Sequence, residues 1–476
     1  MNWPLFINGE WKKAERYVEL RSPFSGELIT EVAQAGIHET DEAIAAAEVA
    51  AETMARMPAH ERAAILNRAA QILEQRSEEL VRILALEAAK PVKTARAEIA
   101  RTIQTYKFAA MESSRIHGET VPLDAAPGGE GRIAFTMRKP VGVVVAITPF
   151  NFPFNLVAHK VGPAIAAGNT VVLKPASQTP LSALILGGIF KEAGLPAGAL
   201  NIIPGPGSII GERLVSDPRV KAITFTGSPA VGIAMKSRAG LKRVCLELGS
   251  NSALVIDDTI DITQELIERC VAGAFSFSGQ VCISIQRIYV HEHKYDEFLA
   301  KFKDQTEKLV IGDPLDSETD LSALISGTEV KRMEEWVESA VAGGARVITG
   351  GKAINAAIYP PTILADVDKT EAVSCMEVFG PIVVVSPFQT LDQAIREVND
   401  SRFGLQAGIY TNDIHAAMRA AEELEVGGVM INDFPTFRVD NMPYGGVKES
   451  GFGREGIKYA IEELTELKLI SIKLKP

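Results

Sequence analysis

Two side chains in this sequence have the chemistry needed for covalent catalysis, Cys282 and Glu247. Cys282 lies in Phe277-Ser278-Gly279-Gln280-Val281-Cys282, part of a glycine-containing loop between a helical stretch and a predicted strand. A thiolate is a strong nucleophile, although a free cysteine is more often a small buried apolar residue. Glu247 stands between two leucines. It is therefore either an exposed turn residue or a buried acid whose raised pKa suits base catalysis.

Two further polar residues follow predicted strands. Asn151 lies in Thr148-Pro149-Phe150-Asn151-Phe152-Pro153, a turn made rigid by two prolines. An asparagine in such a turn is usually explained by turn chemistry alone. Lys174 ends the next strand, where it either binds a ribose or phosphate or lies in solvent. Both residues are candidates for a site because ligands of parallel sheets bind beyond the carboxyl ends of the strands.

Two glycine clusters could bind phosphate. Gly205-Pro206-Gly207-Ser208-Ile209-Ile210-Gly211 resembles a dinucleotide fingerprint with one residue too many. Phe225-Thr226-Gly227-Ser228-Pro229 places a glycine and a hydroxyl at a predicted helix start, where Pro229 suits the first turn. A helix N-terminus offers free N–H groups and a positive dipole end to a phosphate. Each cluster alone is a weak signal.

The elements that position these residues alternate in type along the chain. Residues 40–114 show helical apolar spacing, and residues 132–138 alternate as a half-buried strand that lies outside the main sheet. After Pro140, apolar strands alternate with helices, which predicts a parallel, doubly wound sheet. The predicted strands of this sheet are 143–147, 170–173, 201–203 and 222–225. Strands at 252–256, 288–290 and 381–385 predict a second α/β unit.

The C-terminal segment 467–475 is an apolar-rich strand whose unpaired edge would be an aggregation liability. It pairs either with a strand of the same chain or with a strand of another copy. Pairing within an oligomer is the favoured interpretation, because the isolated strand near residue 135 offers a partner.

Composition limits the class of protein. The 476 residues are enough for about three domain-sized units, and the net charge of −11 disfavours nucleic-acid and acidic-membrane partners. The four cysteines form no Cys-x-x-Cys pair, so neither a disulfide framework nor a zinc knuckle is indicated, and no metal is predicted. The N-terminus lacks a signal-peptide pattern, and no apolar run reaches the roughly 18 residues that span a membrane. The protein is therefore predicted to be cytoplasmic.

Taken together, seven segments of the chain resemble the aldehyde dehydrogenase superfamily, in particular its lactaldehyde and non-phosphorylating glyceraldehyde-3-phosphate branch. They are Thr148–Pro153, Leu173–Pro175, Phe225–Ser228, Glu247–Gly249, Gly279–Cys282, Glu377–Pro381 and Pro443–Lys448. The resemblance implies an α/β fold with a Rossmann-type cofactor domain, an α/β catalytic domain and a small β arm used in a homodimer or homotetramer. We place the cofactor domain at residues 1–117 and 141–247, the catalytic domain at 248–447 and the oligomerisation arm at 118–140 and 463–476.

The resemblance also implies roles for individual residues. Cys282 would be the nucleophile, Glu247 the general base and Asn151 the oxyanion donor of a non-acylating enzyme that oxidises an aldehyde to the acid through a thioester. NAD or NADP would be the cofactor. Lys174 would bind the adenosine ribose or its phosphate, Ser228 the pyrophosphate, and Glu377 the nicotinamide ribose beside Phe379. The cofactor site is completed by Thr148, Pro149, Phe150, Ser177, Gly207, Gly211, Phe225, Gly227 and Leu248.

Three residues bear on specificity. Ser177 stands where many NAD-preferring relatives carry a glutamate that repels a 2′-phosphate, so use of NADP as well as NAD is expected. Arg438 either holds a substrate anion or forms a structural salt bridge. His159 either faces the substrate pocket or is a packed core histidine. We expect a short hydroxylated or anionic aldehyde as substrate; the alternative is a cofactor-independent thiol esterase or hydrolase.

Overall fold

The computed structural model of the chain describes residues 2–474, so Met1 and residues 475–476 of the predicted arm lie outside the described residues. The strands, in chain order, are β1 Asn2–Trp3, β2 Leu5–Ile7, β3 Glu10–Lys12, β4 Arg16–Arg21, β5 Leu28–Gln34, β6 Arg132–Pro140, β7 Val143–Ile147, β8 Thr170–Lys174, β9 Leu200–Ile202, β10 Val220–Thr226, β11 Arg243–Glu247, β12 Ala253–Ile256, β13 Arg287–His291, β14 Arg346–Thr349, β15 Thr362–Ala365, β16 Ile382–Phe388, β17 Phe403–Gly404, β18 Gln406–Tyr410, β19 Gly428–Ile431, β20 Val447–Lys448, β21 Gly451–Phe452 and β22 Thr465–Lys473.

The first four helices follow one another along the chain, and most of the later ones lie between strands. The helices are α1 Ile37–Arg56, α2 Ala59–Gln75, α3 Ser77–Ala88, α4 Val92–Ser113, α5 Asn155–Ala167, α6 Pro180–Glu192, α7 Gly207–Ser216, α8 Pro229–Arg238, α9 Gln264–Phe275, α10 Glu292–Thr306, α11 Gly327–Ala342, α12 Ala372–Cys375, α13 Leu391–Asn399, α14 Ile414–Glu423 and α15 Ile457–Glu463. None of those within residues 2–474 is long and apolar enough to cross a membrane.

The first large sheet has the strand order β21-β11-β10-β7-β8-β9-β2-β3. Its five central strands, β11 to β9, are parallel. Residues 143–147 and 170–174 are buried throughout, because apolar cores cover both faces of the sheet. The predicted doubly wound sheet is confirmed, with each predicted strand found within three residues of its expected bounds.

The second large sheet has the order β14-β15-β16-β13-β12-β18-β19, and all its pairs except β14–β15 are parallel. It contains the strands that were predicted for a second α/β unit. The chain then returns to the first sheet, since β21 pairs antiparallel with β11. The domain limits given above stay predictions.

The structure corrects our expectation about the pairing partner of the C-terminal strand. We favoured pairing of the C-terminal strand within an oligomer, but β22 pairs antiparallel with β6 of the same chain, from Thr465 opposite Pro140 to Lys473 opposite Arg132. The reason is local: α15 ends beside the start of β7, and Val141 N donates to Leu464 O at 3.4 Å. The end of α15 therefore delivers the last strand directly to the strand near residue 135.

Candidate active site

The predicted catalytic residues lie on segments of both large sheets. Asn151 follows β7, Glu247 ends β11, and Cys282 lies in the loop that leads into β13. One hydrogen bond joins the sheets at this place, because Asn151 Nδ2 donates to Gln280 O at 2.9 Å. The Asn151 turn and the Cys282 loop, far apart in sequence, thus meet here, and the charge of Glu247 is near enough to influence the Cys282 thiol.

The loop before Cys282 has a strained backbone. Phe277, Ser278 and Gly279 have φ values of 49°, 53° and 68°, a left-handed region that costs energy for residues with a side chain. Ser278 Oγ donates to Ser322 O at 3.0 Å, and Gln280 Oε1 accepts from Ile325 N at 3.0 Å. These bonds stabilise the strained loop and thereby set the position of the thiol.

Gly279 is the point where this loop touches the segment after Phe379. A Cβ at Gly279 would lie 2.1 Å from Gly380 O, a distance that forces the backbone to move. We expect Gly279→Ala to lower the melting temperature and to lower kcat at least tenfold, because left-handed backbone costs alanine about 1–2 kcal/mol before the clash is counted. Gly26→Ala is the matched control, since Gly26 has φ +73° but no neighbour within 4 Å. Equal effects of both variants in thermal melts and rate assays would contradict this expectation.

Cys282 is half-buried in a largely apolar shell. Val281, Ile283 and Leu405 surround it, and its Sγ lies 3.0 Å from the hydroxyl of Tyr444. Burial raises the pKa of the Cys282 thiol to about 11, while the Tyr444 hydrogen bond and the Arg438 charge pull that pKa down. The shell therefore opposes the thiolate, and the neighbouring donor and cation favour it.

The amide of Asn151 is 2% exposed. One of its two N–H groups is bonded to Gln280 O, and Oδ1 has no hydrogen-bond partner among residues 2–474. The second N–H group is therefore available to an oxyanion, as the predicted role requires.

A buried ion pair that we did not predict supports the Asn151 loop. Lys90 Nζ donates both to Glu98 Oε2 and to Asn151 O. The same ammonium lies 3.9 Å from the ring centre of Phe152 and 4.3 Å from that of Phe277. Lys90 thus joins the Asn151 loop to the Cys282 loop. In the sequence this ion pair is only a lysine and a glutamate within a helical region. Many exposed ion pairs have the same pattern, so the sequence does not identify this one as buried.

Glu247 is a buried acid, not an exposed turn residue. It is 2% exposed, and neither carboxylate oxygen has a hydrogen-bond partner within the described part of the chain. Burial, followed by the charge of Glu455, raises the pKa of Glu247 well above its ordinary value. Of the two sequence interpretations, the structure therefore supports the one that suits base catalysis.

Arg438 and His159 belong to one buried network. Arg438 Nη2 donates to Glu455 Oε2 at 3.0 Å, and the guanidinium carbon lies 3.6 Å from the ring centre of Tyr444. Arg438 Nε has no partner within residues 2–474. His159 is 1% exposed and bonds to Asp440 Oδ1 at 2.8 Å. His159 therefore lies in the core beside Arg438, whereas Arg438 forms a salt bridge and still has a free donor.

The predicted adenosine side lies at the ends of β8 and β9. Lys174 is 9% exposed, its ammonium donates only to Pro175 O at 3.3 Å among the described residues, and burial lowers its pKa. A Cβ at Gly207, the first residue of α7, would lie 3.8 Å from Lys174 Cε. Ser177 is exposed and Gly211 is half-buried within α7. An unpaired lysine beside a helix N-terminus fits a ribose or a phosphate.

The predicted pyrophosphate side lies at the start of α8. Ser228 is exposed and precedes Pro229, the first residue of the helix, as predicted. Phe225 and Leu248 are buried beneath the turn, and Gly227 N donates to Glu247 O at 3.1 Å. The start of α8 thus combines N–H groups that lack intrahelical acceptors with an exposed serine hydroxyl.

The predicted nicotinamide side contains Glu377 and Phe379. Glu377 Oε1 accepts from Ser250 N at 3.0 Å, and burial raises the pKa of Glu377 to about 7. The rings of Phe150 and Phe379 are 5.7 Å apart and nearly perpendicular. Phe379 has a φ of +48°. Thr148 is buried and Pro149 half-buried beside this aromatic pair.

One cluster of potential metal ligands lies elsewhere in the described chain, at Asp258, His291 and His293. Both ring nitrogens of His291 are already engaged: Nε2 contacts Gln389 O at 3.1 Å and Nδ1 accepts from His293 N at 3.4 Å. The cluster also lies at the start of α10, where the helix dipole disfavours a cation. The expectation of no metal stays a prediction.

Comparison with known proteins decides the family. The model described as the aldehyde dehydrogenase family matches residues 11–470. The chain belongs to the aldehyde dehydrogenase family. The resemblance that the seven segments carry is therefore confirmed, and at the level of the family so is the prediction that the chain is an aldehyde dehydrogenase.

Individual aldehyde dehydrogenases match over nearly their whole length. The 3-sulfolactaldehyde dehydrogenase of Priestia aryabhattai is 47% identical over 470 residues, covering 99% of this chain and 98% of that protein. The lactaldehyde dehydrogenase of Methanococcus aeolicus is 40% identical over 475 residues, covering 99% and 100%. The crystal structure of glyceraldehyde-3-phosphate dehydrogenase from Methanocaldococcus jannaschii, complexed with NADP, has a TM-score of 0.92 and 39% identity, covering 96% of this chain and 100% of that one. The predicted fold class and branch are confirmed.

Proposed function

We propose that this aldehyde dehydrogenase oxidises a short hydroxylated or anionic aldehyde to its carboxylic acid, with NAD or NADP as cofactor and a thioester on Cys282 as the intermediate. The observation that carries the proposal is the buried carboxyl group of Glu247, unpaired within residues 2–474 and close enough to influence the thiol. A buried acid without a structural partner costs stability, so its presence in a catalytic cleft is explained by a catalytic task.

The first step is addition of the Cys282 thiolate to the aldehyde carbon. The S–C bond forms as the carbonyl electron pair moves onto oxygen, and the resulting oxyanion needs donors at its new position. The free N–H of Asn151 and the backbone N–H of Cys282 are the proposed donors. One donor of this kind is typically worth about 3 kcal/mol in the transition state.

The residues of the cleft fit a nicotinamide dinucleotide. Lys174 offers a buried cation without a carboxylate partner in the described chain. Ser228 directly precedes α8, a helix whose first N–H groups lack intrahelical partners, and Glu377 offers a carboxylate to a ribose hydroxyl. When bound, the oxidised cofactor supplies the hydride acceptor. The exposed hydroxyl of Ser177 places no negative charge near a 2′-phosphate, which supports use of NADP as well as NAD.

The last step is hydrolysis of the thioester. Glu247 takes a proton from water, the water oxygen adds to the acyl carbon, and the C–S bond breaks with its electron pair returning to sulfur. A carboxylate with a raised pKa is a stronger base than an ordinary one, and this suits the task. We therefore propose that water, and not coenzyme A, receives the acyl group.

Two observations support an anionic or hydroxylated substrate. The named relatives act on sulfolactaldehyde, lactaldehyde and glyceraldehyde 3-phosphate, which are short hydroxylated aldehydes, two of them anionic. In this chain, the unpaired Nε of Arg438 is a charged donor beside the ring that contacts Cys282. We propose that Arg438 binds the substrate anion and that His159, whose Nε2 lies 3.3 Å from Arg438 Nη2, helps to orient the guanidinium.

Arg438→Gln tests the substrate class. We expect kcat/KM for glyceraldehyde 3-phosphate to fall about ten- to hundredfold more than kcat/KM for neutral lactaldehyde, because a charge-assisted hydrogen bond is worth about 1.5–3 kcal/mol. Glu455 remains paired with Lys160 at 2.7 Å, so this carboxylate keeps a cation in the variant. Arg346→Gln, an exposed salt-bridged arginine, is the control. An unchanged ratio between the two aldehydes would remove Arg438 from substrate binding.

An aldehyde panel with NAD or NADP tests the proposed function as a whole. Absorbance of the reduced cofactor must rise with aldehyde and without coenzyme A. Ester cleavage without any cofactor reduction would instead support a thiol esterase, and no reaction with either substrate class would contradict both. A parallel assay with coenzyme A tests for acyl transfer.

We also propose that the protein forms a homodimer or homotetramer. Apolar side chains of the β6–β22 arm are about half exposed, as are two on α8. Burying them against a second copy would remove apolar surface from water. They are Ile133, Leu467, Leu469, Ile472, Val231 and Ile233.

A further inference from the structure

The hydroxyl group of Tyr444 lies 3.0 Å from Cys282 Sγ. This is the one hydrogen bond that the sulfur makes among the side chains described, since its other neighbours in the cluster are aliphatic. Tyr444 is 3% exposed. The phenol is therefore shielded from solvent, and it is the one side-chain hydrogen-bond partner of the reacting sulfur within residues 2–474.

Tyr444 is held in place from two sides. Its backbone N donates to Glu455 O at 3.0 Å and its carbonyl accepts from Glu455 N at 2.7 Å. Glu455 also binds Arg438 at 3.0 Å, which places the guanidinium 3.6 Å from the centre of the tyrosine ring. One glutamate thus positions both the phenol and the cation stacked on it.

Once the sulfur of Cys282 is negatively charged, only the Tyr444 hydroxyl can be the donor of the hydrogen bond between them. A thiolate only accepts hydrogen bonds, so the phenol must then donate, and hydrogen bonds to charged groups are the strong ones. The Arg438 cation on the ring face stabilises negative charge that the phenol oxygen acquires when it donates, which makes the phenol a better donor. In an apolar shell such a donor matters more than in water.

We propose that Tyr444 is a catalytic residue of this dehydrogenase, whose phenolic O–H donates to the sulfur of Cys282 whenever that sulfur carries negative charge. The sulfur does so twice in the proposed reaction: before it attacks the aldehyde, and when the C–S bond breaks and the electron pair returns to it. The phenol keeps its proton in both steps. The inference rests on the proposed function, because it takes Cys282 as the nucleophile.

The experiment is Tyr444→Phe, which removes only the hydroxyl and keeps the ring under Arg438. The rate of alkylation of Cys282 by iodoacetamide is measured against pH in the full-length protein without cofactor. The charged or titratable groups that influence this thiol are Tyr444 and Arg438, which favour the thiolate, and Glu247 and Glu377, which oppose it. We expect the midpoint of the curve of alkylation rate against pH to rise by about one pH unit in Tyr444→Phe. Below that midpoint the alkylation rate should fall about tenfold, while the limiting rate at high pH stays the same.

Two controls separate the possible outcomes. Tyr106→Phe removes a buried hydroxyl that has no hydrogen-bond partner in the described chain, and it should leave the midpoint unchanged. Cys282→Ser identifies the alkylated residue. An unchanged midpoint in Tyr444→Phe, with aldehyde oxidation intact in the unmodified protein, would overturn the role of Tyr444 and leave the proposed function standing. A raised midpoint in a protein that oxidises no aldehyde would instead contradict the proposed function alone.

Discussion

Cys282→Ser is expected to lower kcat for aldehyde oxidation at least about 10³-fold. An alcohol side chain is a far weaker nucleophile than a thiolate near neutral pH, and the side chain that bonds to residue 282 within residues 2–474 is the phenol of Tyr444, not a histidine base. Without a covalent adduct the aldehyde cannot lose hydride, because the product would be an acylium ion. The loss should be as large as that seen when a catalytic nucleophile is removed from other enzymes that act through covalent intermediates.

The measurement is the rate of cofactor reduction with lactaldehyde and with glyceraldehyde 3-phosphate. Cys375→Ser is the matched control, because Cys375 is also free and half-buried, and the one hydrogen bond of its Sγ within residues 2–474 goes to Thr370 O. Circular dichroism and the melting temperature establish that both variants are folded. Full activity in Cys282→Ser would mean that another group holds the acyl chain.

Glu247→Gln should uncouple the two halves of the reaction. Addition and oxidation still take place, so one equivalent of reduced cofactor per site forms rapidly, but thioester hydrolysis lacks its base and slows about 10²–10⁴-fold. The pH dependence follows from the raised pKa of Glu247: only the carboxylate accepts a proton, so hydrolysis in the unmodified enzyme declines as pH falls through that pKa. The amide does not titrate, and the variant should lose this acidic limb.

Stopped-flow absorbance measures the burst and the steady rate in one experiment. Glu87→Gln is the control, because burial also raises the pKa of Glu87, to about 7, but its carboxylate accepts from Leu181 N and Ser182 N at the start of α6. That variant should lose stability without changing the ratio of burst to steady rate. A Glu247→Gln enzyme without a burst would place the slow step before the thioester, and a normal steady rate would exclude Glu247 as the base.

The parts of the fold that could be predicted are those with local signals. The apolar runs at residues 143–147 and 171–173 identify strands buried on both faces, and Pro229 identifies the first turn of α8. Cys282 and Glu247 could be selected because their residue types and motifs are informative. Even so, only the structure distinguishes a buried Glu247 from an exposed one, since burial depends on how segments far apart in the sequence pack.

What could not be predicted depends on long-range contacts. Tyr444 belongs to the segment Pro443–Lys448, yet nothing in that segment shows that its hydroxyl lies against a sulfur 162 positions earlier in the chain. Lys90 lies 61 positions before the carbonyl that it binds. The partner of β22 was assigned to another copy because the sequence does not show that α15 ends beside Val141. Each case is a matter of tertiary geometry.

The account depends above all on an acyl group held by Cys282. The most direct measurement is mass spectrometry of the peptide that contains Cys282, after Glu247→Gln has been mixed with aldehyde and oxidised cofactor and quenched in acid within the burst. We predict that this peptide gains the mass of the acyl group, and that hydroxylamine removes it. A full burst of reduced cofactor with an unmodified Cys282 peptide would contradict the account.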